Sequence, residues 1–250
     1  MEKITSVKNQ TVKNWKKLHS AKGRKESGCY LIEGEHLYLE ALHSGARIKE
    51  IILTEKYSQT QPNWPNNANL VSDEVMNVLT QTETAPGIIC VVEVSQQALP
   101  KQWEGKYVLL DGVQDPGNAG TIVRTADAAG FAGVVFGTGS VDPYNDKVVR
   151  SMQGSHFHIP IYRTDLLPVL ATLKEQQVPV YGTALDAEAK RYFEVEKAET
   201  VAVVLGNEGN GVSQEVLAQT TCNVYIPIYG KAESLNVAVA AGIVLYHFAS

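Results

Sequence analysis

Cysteine is scarce in this chain. Among 250 residues only Cys29, Cys90 and Cys222 are cysteines, an odd number at wide spacing and without a Cys-x-x-Cys pair. This pattern argues against a disulfide framework and against a zinc site, and it is typical of proteins in a reducing compartment. We therefore expect a cytoplasmic location.

Long apolar runs and clustered metal ligands are also missing. No apolar stretch approaches the roughly 18 residues that indicate a membrane span, and the start, Met1 to Ser6, lacks the apolar core of a signal peptide. The six histidines provide no ligand pair with accompanying cysteines or carboxylates. His156 and His158 flank Phe157 and are interpreted as strand residues. We expect neither membrane insertion nor a bound metal.

Positive charge is in short supply overall but concentrated at one end. The net charge is −5, which is unfavourable for binding a polyanion. Residues 1–26, however, hold eight basic residues against two acidic ones, so this segment carries +6 and the rest of the chain −11. This asymmetry is expected of an arm that touches a polyanion. A solvated amphipathic helix with the apolar stripe Val12, Trp15 and Leu18 is the alternative, and both can hold.

The order of apolar segments predicts two domains. Residues 1–94 contain short strands and helices, residues 95–105 are polar and predict a linker, and residues 106–250 alternate regularly between strands and helices. The first domain is predicted to contain strands at 30–32, 48–53 and 87–92 and helices at 34–44 and 73–79. The second is predicted to contain strands at 107–110, 134–136, 179–183, 201–205 and 224–228 and helices at 119–129, 165–177, 213–218 and 235–248. The second pattern predicts an α/β fold with a parallel sheet and helices on both faces.

A dinucleotide-binding Rossmann domain is one interpretation of that alternation. Gly137-Thr-Gly139 follows a strand, as the fingerprint requires. Position 142, however, is Asp where the third glycine belongs, so the fingerprint fails.

Three strand–loop–helix segments carry the chemistry. In the first, Asp111 to Gly130, Asn118 is predicted as the helix N-cap and Gly130 as its C-terminal stop. The second is the glycine-rich loop Gly206 to Gly211, whose one charge is Glu208. In the third, Ile226 to Ala241, Ser234 is predicted to open a helix that is apolar on nearly every side. Such loops form ligand sites at the carboxyl ends of parallel strands, although the third segment alone also fits an ordinary capped core helix.

Together these segments resemble the three motifs of the SpoU (TrmH-like) RNA ribose methyltransferases of the SPOUT superfamily. The resemblance rests on the Asn118…Arg124 spacing, on Gly206-Asn-Glu-Gly209, and on Ile226-Pro followed by Ser234-Leu-Asn236. It covers about residues 106–250. It implies methyl transfer from S-adenosylmethionine to a ribose 2′-hydroxyl of RNA, a C-terminal trefoil knot and a homodimer. The small α/β domain in front resembles the family's substrate-binding domain, with Arg24, Glu33 and Gly34 in its Arg…Glu-Gly signature.

The resemblance also assigns roles to residues. Arg124 is implied to activate the 2′-hydroxyl, although a guanidinium does not act as a literal base because it stays protonated in proteins. The other interpretation of Arg124 is a surface helix residue. The implied site residues are Arg124, Asn118, Glu208, Ser234 and Asn236 for catalysis, and Gly206, Ile226, Leu235, Thr183, Leu185 and Asn207 for the cofactor.

The RNA substrate is inferred from the charges and from the first domain. The candidate RNA contacts are Lys8, Lys13, Lys17, Arg24 and Arg150. Arg150 lies in residues 142–155, which resemble the family's segment between the first two motifs and are expected to bind RNA or a partner subunit. Because the first domain is similar to certain RNA-binding ribosomal proteins, ribosomal RNA is favoured over transfer RNA. The alternatives are a tRNA ribose methyltransferase, a base methyltransferase of the wider superfamily, and a non-catalytic RNA-binding relative.

Overall fold

The computed structural model describes residues 3–61, 63–95 and 97–249. Met1, Glu2, Pro62, Gln96 and Ser250, which the sequence assigns to the first domain, the linker and the last domain, lie outside the described residues.

Twelve strands and ten α-helices are formed by the described residues. The strands are β1 (Lys3–Ile4), β2 (Cys29–Glu33), β3 (Ile48–Thr54), β4 (Ala68–Val71), β5 (Ile88–Glu93), β6 (Lys106–Asp111), β7 (Gly133–Phe136), β8 (Ile161–Arg163), β9 (Val180–Thr183), β10 (Lys190–Arg191), β11 (Val201–Gly206) and β12 (Cys222–Tyr225). The helices are α1 (Gln10–Lys17), α2 (Ala21–Ser27), α3 (Glu35–His43), α4 (Glu55–Ser58), α5 (Asp73–Leu79), α6 (Pro116–Ala128), α7 (Asp146–Met152), α8 (Leu166–Glu175), α9 (Gln214–Leu217) and α10 (Val237–Phe248).

The chain forms two compact units. Unit 1 consists of Met1–Ser95 and Tyr144–Phe157, and unit 2 of Gln96–Pro143 and His158–Ser250. Unit 1 has a five-stranded mixed sheet in the order β1-β4-β3-β5-β2. Helices α1 and α5 pack on one face of this sheet, where their apolar side chains join those of β2, β3 and β5 in one buried cluster.

The basic N-terminal segment is part of folded unit 1. Asn9 caps α1 by accepting a hydrogen bond from the Thr11 N–H at 2.8 Å. The predicted apolar stripe is confirmed, since Val12, Trp15 and Leu18 are all buried. The lysines of α1, Lys13, Lys16 and Lys17, are exposed on the solvent-facing side of the helix.

Residues 144–157, which the sequence assigns to the last domain, group with unit 1 instead. The rings of Tyr144 and Tyr30 lie 4.8 Å apart. Asp146 contacts His19 at 3.0 Å, and Arg150 lies 3.7 Å from the carboxylate of Glu33. The segment contains α7, whose apolar residues Val148, Val149 and Met152 are buried. It is thus a folded part of unit 1.

Unit 2 is built on a seven-stranded, all-parallel sheet in the order β10-β12-β9-β11-β6-β7-β8. Its central strand β11 is buried along its whole length. Ala202 and Val204 face the cluster that contains α8 and α9, and because side chains alternate along a strand, Val203 and Leu205 face the other side. There α10 packs against α6 and β11. The predicted α/β fold with helices on both faces of a parallel sheet is confirmed.

The helices of the motifs begin at other residues than predicted. Helix α6 starts at Pro116, and its N-cap is Asp115, whose Oδ1 accepts from the Asn118 N–H at 2.8 Å. Helix α10 starts at Val237 with Asn236 as its N-cap. The N-cap predictions for Asn118 and Ser234 are therefore wrong. Gly130, with φ of 73°, ends α6 as predicted.

The histidines on either side of Phe157 lie outside the strands. His156 lies in a short 3-10 helix, Ser155–Phe157, and His158 precedes β8, so the prediction that both are strand residues is wrong.

In the part of the chain that the structure describes, no helix is both long enough and apolar enough to cross a bilayer.

Candidate active site

The site lies at the carboxyl edge of the parallel sheet in unit 2. Strands β6, β9, β11 and β12 are neighbours, and the loops that follow them therefore meet at one edge. These loops carry the three motifs. The arrangement explains how residues up to 118 positions apart in sequence come into contact there.

Glu208 is the centre of the polar part of the site. Its Oε1 accepts hydrogen bonds from the Asp115 N–H at 2.9 Å and from Asn118 Nδ2 at 3.1 Å, and its Oε2 accepts from the Gln114 N–H at 3.1 Å. Burial acts to raise the pKa of Glu208, but the hydrogen bonds from Gln114, Asn118 and Asp115 outweigh it and lower the pKa. The carboxylate is held charged at the first loop.

Asn118 extends this contact to α10. Its Oδ1 accepts from Asn236 Nδ2 at 2.9 Å, while Asn236 Oδ1 accepts from the backbone N–H groups of Ala238 and Val239 at 2.9 and 3.3 Å. Because each amide has its oxygen and its nitrogen engaged, both side chains are fixed in one orientation. Three of the five predicted catalytic residues thus form one chain, Glu208–Asn118–Asn236.

The other two catalytic candidates, Arg124 and Ser234, are not part of this chain. Arg124 is exposed on α6, six residues after Asn118, which at roughly 3.6 residues per turn places it about 120° around the helix axis from Asn118. Among the residues that the structure describes it forms no hydrogen bond or ion pair, so its guanidinium is available to a ligand. Ser234 is exposed in the loop before α10 and lines an adjacent cavity.

That cavity has a volume of about 460 Å³ and a mostly apolar lining. Four predicted cofactor residues, Thr183, Leu185, Ile226 and Leu235, line it, and so do Ala240 and Val244 of α10. The last two were not predicted, because apolar residues inside a helix give no signal that separates a pocket wall from core. A flat, neutral adenine ring needs such apolar walls together with a few backbone partners. The cavity therefore fits an adenosine group.

Gly206 and Asn207 shape the glycine-rich loop and are not among the residues that line the cavity. A Cβ atom on Gly206 would lie 2.1 Å from the backbone of both Gly211 and Val212. Asn207 Nδ2 donates to the Gly112 carbonyl at 2.8 Å, and its Oδ1 accepts from the Gly209 N–H at 3.0 Å. Both residues thus hold the loop that presents Glu208.

A model of the SpoU rRNA methylase family matches residues 105–246, more than half of the chain. This chain belongs to the SpoU rRNA methylase family. A model of the MRM3-like substrate binding domain matches residues 9–90. The two family models therefore cover different parts of the chain.

Individual SpoU relatives are similar over the whole length. The 23S rRNA (guanosine(2553)-2′-O)-methyltransferase RlmP of Bacillus subtilis is 46% identical over 99% of both chains. An AdoMet-bound rRNA methyltransferase from Sinorhizobium meliloti has a TM-score of 0.88 at 31% identity, covering 98% of this chain and 96% of that one. The SpoU methyltransferase AviRb from Streptomyces viridochromogenes has a TM-score of 0.84 at 25% identity and 96% coverage of both.

The candidate RNA contacts of this SpoU protein differ in their surroundings. Lys8, Lys13 and Lys17 are exposed in unit 1. Arg24 is buried, and its guanidinium donates to the Leu18 carbonyl at 2.8 Å, which leaves it a structural role and argues against an RNA contact. Arg150 lies beside the buried carboxylate of Glu33, so part of its charge is already engaged.

Clustered metal ligands are absent from the described ranges, 3–61, 63–95 and 97–249. These ranges contain no group of three or more His, Cys, Asp or Glu side chains that could hold a metal ion. Cys29 and Cys90 are buried free thiols, and Cys222 is a partly buried one.

The lowered pKa of Glu208 leads to a pH-dependent prediction. Because the folded-state pKa lies below its ordinary value of 4.5, the carboxylate stabilises the fold above pH 4.5, and this contribution is lost as the pH falls through the folded pKa. We expect Glu208→Gln to lower the Tm at pH 7 by about 2–4 °C, and the difference from the wild type to shrink on acidification. Thermal melts from pH 7 to pH 3 measure it. Glu215→Gln, an exposed glutamate of α9, is the control; a difference that does not depend on pH would contradict the role of the charge.

Proposed function

We propose that this protein transfers a methyl group from S-adenosylmethionine to a ribose 2′-hydroxyl of 23S rRNA, at the guanosine that corresponds to position 2553 of the Bacillus subtilis relative. The observation that carries the methyl transfer is the Glu208–Asn118–Asn236 chain beside the apolar cavity. The choice of RNA and nucleotide rests on 46% identity over nearly the whole of both chains.

The cavity residues bind and orient the cofactor in this proposal. Thr183, Leu185, Ile226 and Leu235 enclose the adenine ring, and Ala240 and Val244 close the pocket from the side of α10. S-adenosylmethionine supplies, when bound, a methyl group already activated by its sulfonium. The protein then has to align the ribose oxygen with that methyl group and to favour loss of the hydroxyl proton.

Arg124 is the residue that we assign to the ribose. Its guanidinium stays protonated, so it acts as a cation that lowers the pKa of the 2′-hydroxyl or holds the neighbouring phosphate through two parallel N–H donors. The proton then leaves to a phosphate oxygen or to water. Asn118 and Asn236 hold the start of α6 and the start of α10 together, so that the Arg124 face and the cavity keep one geometry.

A homodimer, a trefoil knot and a cytoplasmic location complete the proposal. Support for the dimer comes from α10, whose residues are nearly all apolar. Two of its large side chains, Val239 and Tyr246, are nevertheless 53% and 55% exposed. A second copy of the chain would cover this face. The knot rests on family membership, and the location on the rRNA substrate and the free cysteines.

The decisive experiment is methyl transfer by the purified protein from S-adenosylmethionine to a 23S rRNA fragment that contains the guanosine, with the product read by mass spectrometry of nucleosides. We expect 2′-O-methylguanosine at one position, also in the presence of a chelator. Methylation of tRNA alone would replace the proposed substrate, methylation of a base would replace the reaction class, and loss of activity on chelation that a divalent ion restores, with RNA folding controlled, would overturn metal independence.

The exposed lysines of unit 1 give a separate prediction. Each phosphate contact contributes about 0.7–0.9 to the slope of log affinity against log salt concentration. We therefore expect the triple variant of Lys8, Lys13 and Lys17 to alanine to bind the RNA more weakly and to lower that slope by about 2–3. RNA titrations at several salt concentrations measure the slope. Lys174→Ala, an exposed lysine of α8 in unit 2, is the control, and an unchanged slope in the triple variant would rule out these contacts.

A further inference from the structure

The loop between β12 and α10 has a tip that its neighbours do not cover. Residues on both sides of the tip, among them Ile228 and Ser234, line the apolar cavity. The tip itself, Tyr229-Gly-Lys-Ala232, is exposed throughout. Tyr229 is 91% exposed, more than any other large apolar or aromatic side chain in the described residues.

Such exposure means that the Tyr229 ring contributes little to folding. No described aromatic ring packs against it, whereas Tyr181 stacks on Phe248 in the same unit. An aromatic ring held in water beside a ligand cavity is a surface that a partner can cover. The fold therefore leaves the Tyr229 ring exposed and gives it no packing role.

The loop and the edge strand next to its start carry three cations. Lys190 and Arg191 form β10, the edge strand, and Arg191 is paired in register with Tyr225, the last residue of β12 before the loop. Tyr229 follows Tyr225 by four residues, so Arg191 on the edge strand lies at the start of the loop that carries Tyr229. Two carboxylates offset part of this charge, because Glu194 lies 3.7 Å from Arg191 and the exposed Glu233 follows Lys231 by two residues. With Lys190, Arg191 and Lys231 the cations still outnumber these carboxylates by one.

An aromatic ring among cations is the combination that binds single-stranded nucleic acid. Aromatic rings stack on bases, and cations hold the phosphates that link them. Sequence-specific RNA recognition mostly targets unpaired nucleotides, whose unstacked bases take aromatic side chains as new stacking partners. Tyr229 lies one residue from the cavity lining, so it is placed to receive the methylated nucleotide or its neighbour.

We propose that Tyr229 stacks on an unpaired base of the RNA at the mouth of the cavity and that Arg191 binds an adjacent phosphate. This inference rests on the proposed RNA methylation. It adds a substrate-positioning residue that acts on RNA and not on the cofactor. A second copy of the chain, which the exposed face of α10 is proposed to bind, is the competing occupant of Tyr229.

Three substitutions at one position separate stacking from other contacts. Tyr229→Phe keeps the ring, Tyr229→Leu keeps an apolar side chain without a π face, and Tyr229→Ala removes both. The probe is a 23S rRNA fragment centred on the position-2553 guanosine, titrated by fluorescence anisotropy in the presence of S-adenosylhomocysteine, which prevents turnover. Methyl transfer, S-adenosylmethionine affinity and sedimentation are measured on the same proteins.

We expect the leucine and alanine variants to lose about ten-fold in RNA affinity, with a matching rise in KM for RNA, while the phenylalanine variant stays within about two-fold of wild type. Cofactor affinity and sedimentation should be unchanged in all three. Arg191→Ala should lower the salt slope of RNA binding by about 0.7–0.9.

Several outcomes would overturn the inference. Equal RNA affinity in the leucine and phenylalanine variants would show apolar packing without stacking, and a monomeric alanine variant would assign Tyr229 to the subunit interface. Unchanged RNA affinity and KM in the alanine variant would remove Tyr229 from recognition while methylation by the wild type stands. Conversely, a wild type that binds the fragment through Tyr229 but methylates nothing would refute the proposed function and leave the stacking contact intact.

Discussion

Replacing Arg124 by alanine is expected to reduce methyl transfer by about 10²- to 10³-fold, the loss typical of removing one group that stabilises developing charge. The affinity for S-adenosylmethionine should stay nearly unchanged, because Arg124 is exposed on α6 and is not among the residues that line the apolar cavity. Single-turnover methylation and calorimetric titration of the cofactor measure the two quantities separately.

Arg124→Lys distinguishes a simple charge from a planar fork. Lysine keeps the charge but cannot form two parallel N–H contacts, so a failing lysine variant indicates paired contacts to a phosphate, whereas an active one indicates charge alone. Arg163→Ala serves as the control, since Arg163 is an exposed arginine of the same unit, on β8. Turnover like that of the wild type in Arg124→Ala would remove the residue from the mechanism.

Gly206→Ala is the second substitution with a large expected effect. It is expected to act on stability and on cofactor affinity, through the fold of the glycine-rich loop. The new methyl group would lie 2.1 Å from the backbone of Gly211 and Val212, and backbone atoms cannot move aside as a flexible side chain can. Overpacking of this kind costs about 1–3 kcal/mol or more. Because the displaced loop carries Glu208, both the Tm and the affinity for S-adenosylmethionine should fall.

Gly209→Ala is the matched control for that substitution. It lies three residues further along the same loop, where the nearest atom to an added Cβ is Asn207 Oδ1 at 3.6 Å, an ordinary contact distance. Its Tm should stay within about 2 °C of wild type, corresponding to the small effects usual for unstrained surface changes. Equal melting temperatures in the two variants would show that the loop can yield at Gly206.

The longer strands of unit 2 could be predicted from the sequence because a strand that is buried on both faces is a continuous run of apolar residues. Val201 to Leu205 is a continuous apolar run, as expected of a parallel strand covered on both faces. The two-residue strands β1 and β10 contain no such apolar run. Their strand conformation depends on pairing with β4 and β12, which no local pattern encodes.

Helix ends were less predictable, for a chemical reason. Ser234 and Asn236 are both favoured N-cap residues, so local preference cannot decide between them. The structure selects Asn236, whose Oδ1 accepts from two backbone N–H groups while its Nδ2 reaches Asn118. Likewise Asp115, followed by Pro116 in the first helical position, takes the cap of α6. For Asn236 the partner is 118 residues away in sequence, whereas the Asp115-Pro116 signal is local.

The motifs identified the members of the site but not how they meet. Glu208 and Asn118 belong to different motifs, and only the adjacency of β6 and β11 brings them to 3.1 Å. The contributions of the Gln114 and Asp115 backbone N–H groups could not be seen in the sequence, because every residue except proline supplies an N–H group and only the loop conformation directs it at Glu208.

The grouping of residues 144–157 with unit 1 has a consequence for synthesis on the ribosome. Tyr30 and Glu33 emerge early, but their partners Tyr144 and Arg150 follow more than 100 residues later. The N-terminal part of unit 1 ends at Ser95 and α7 ends at Met152, so at roughly 5–20 residues per second this part waits about 3–11 s for α7. During that time the surface of unit 1 that receives Tyr144 and Arg150 is uncovered, and the unit is complete only at Phe157, when about a third of residues 106–250 has been made.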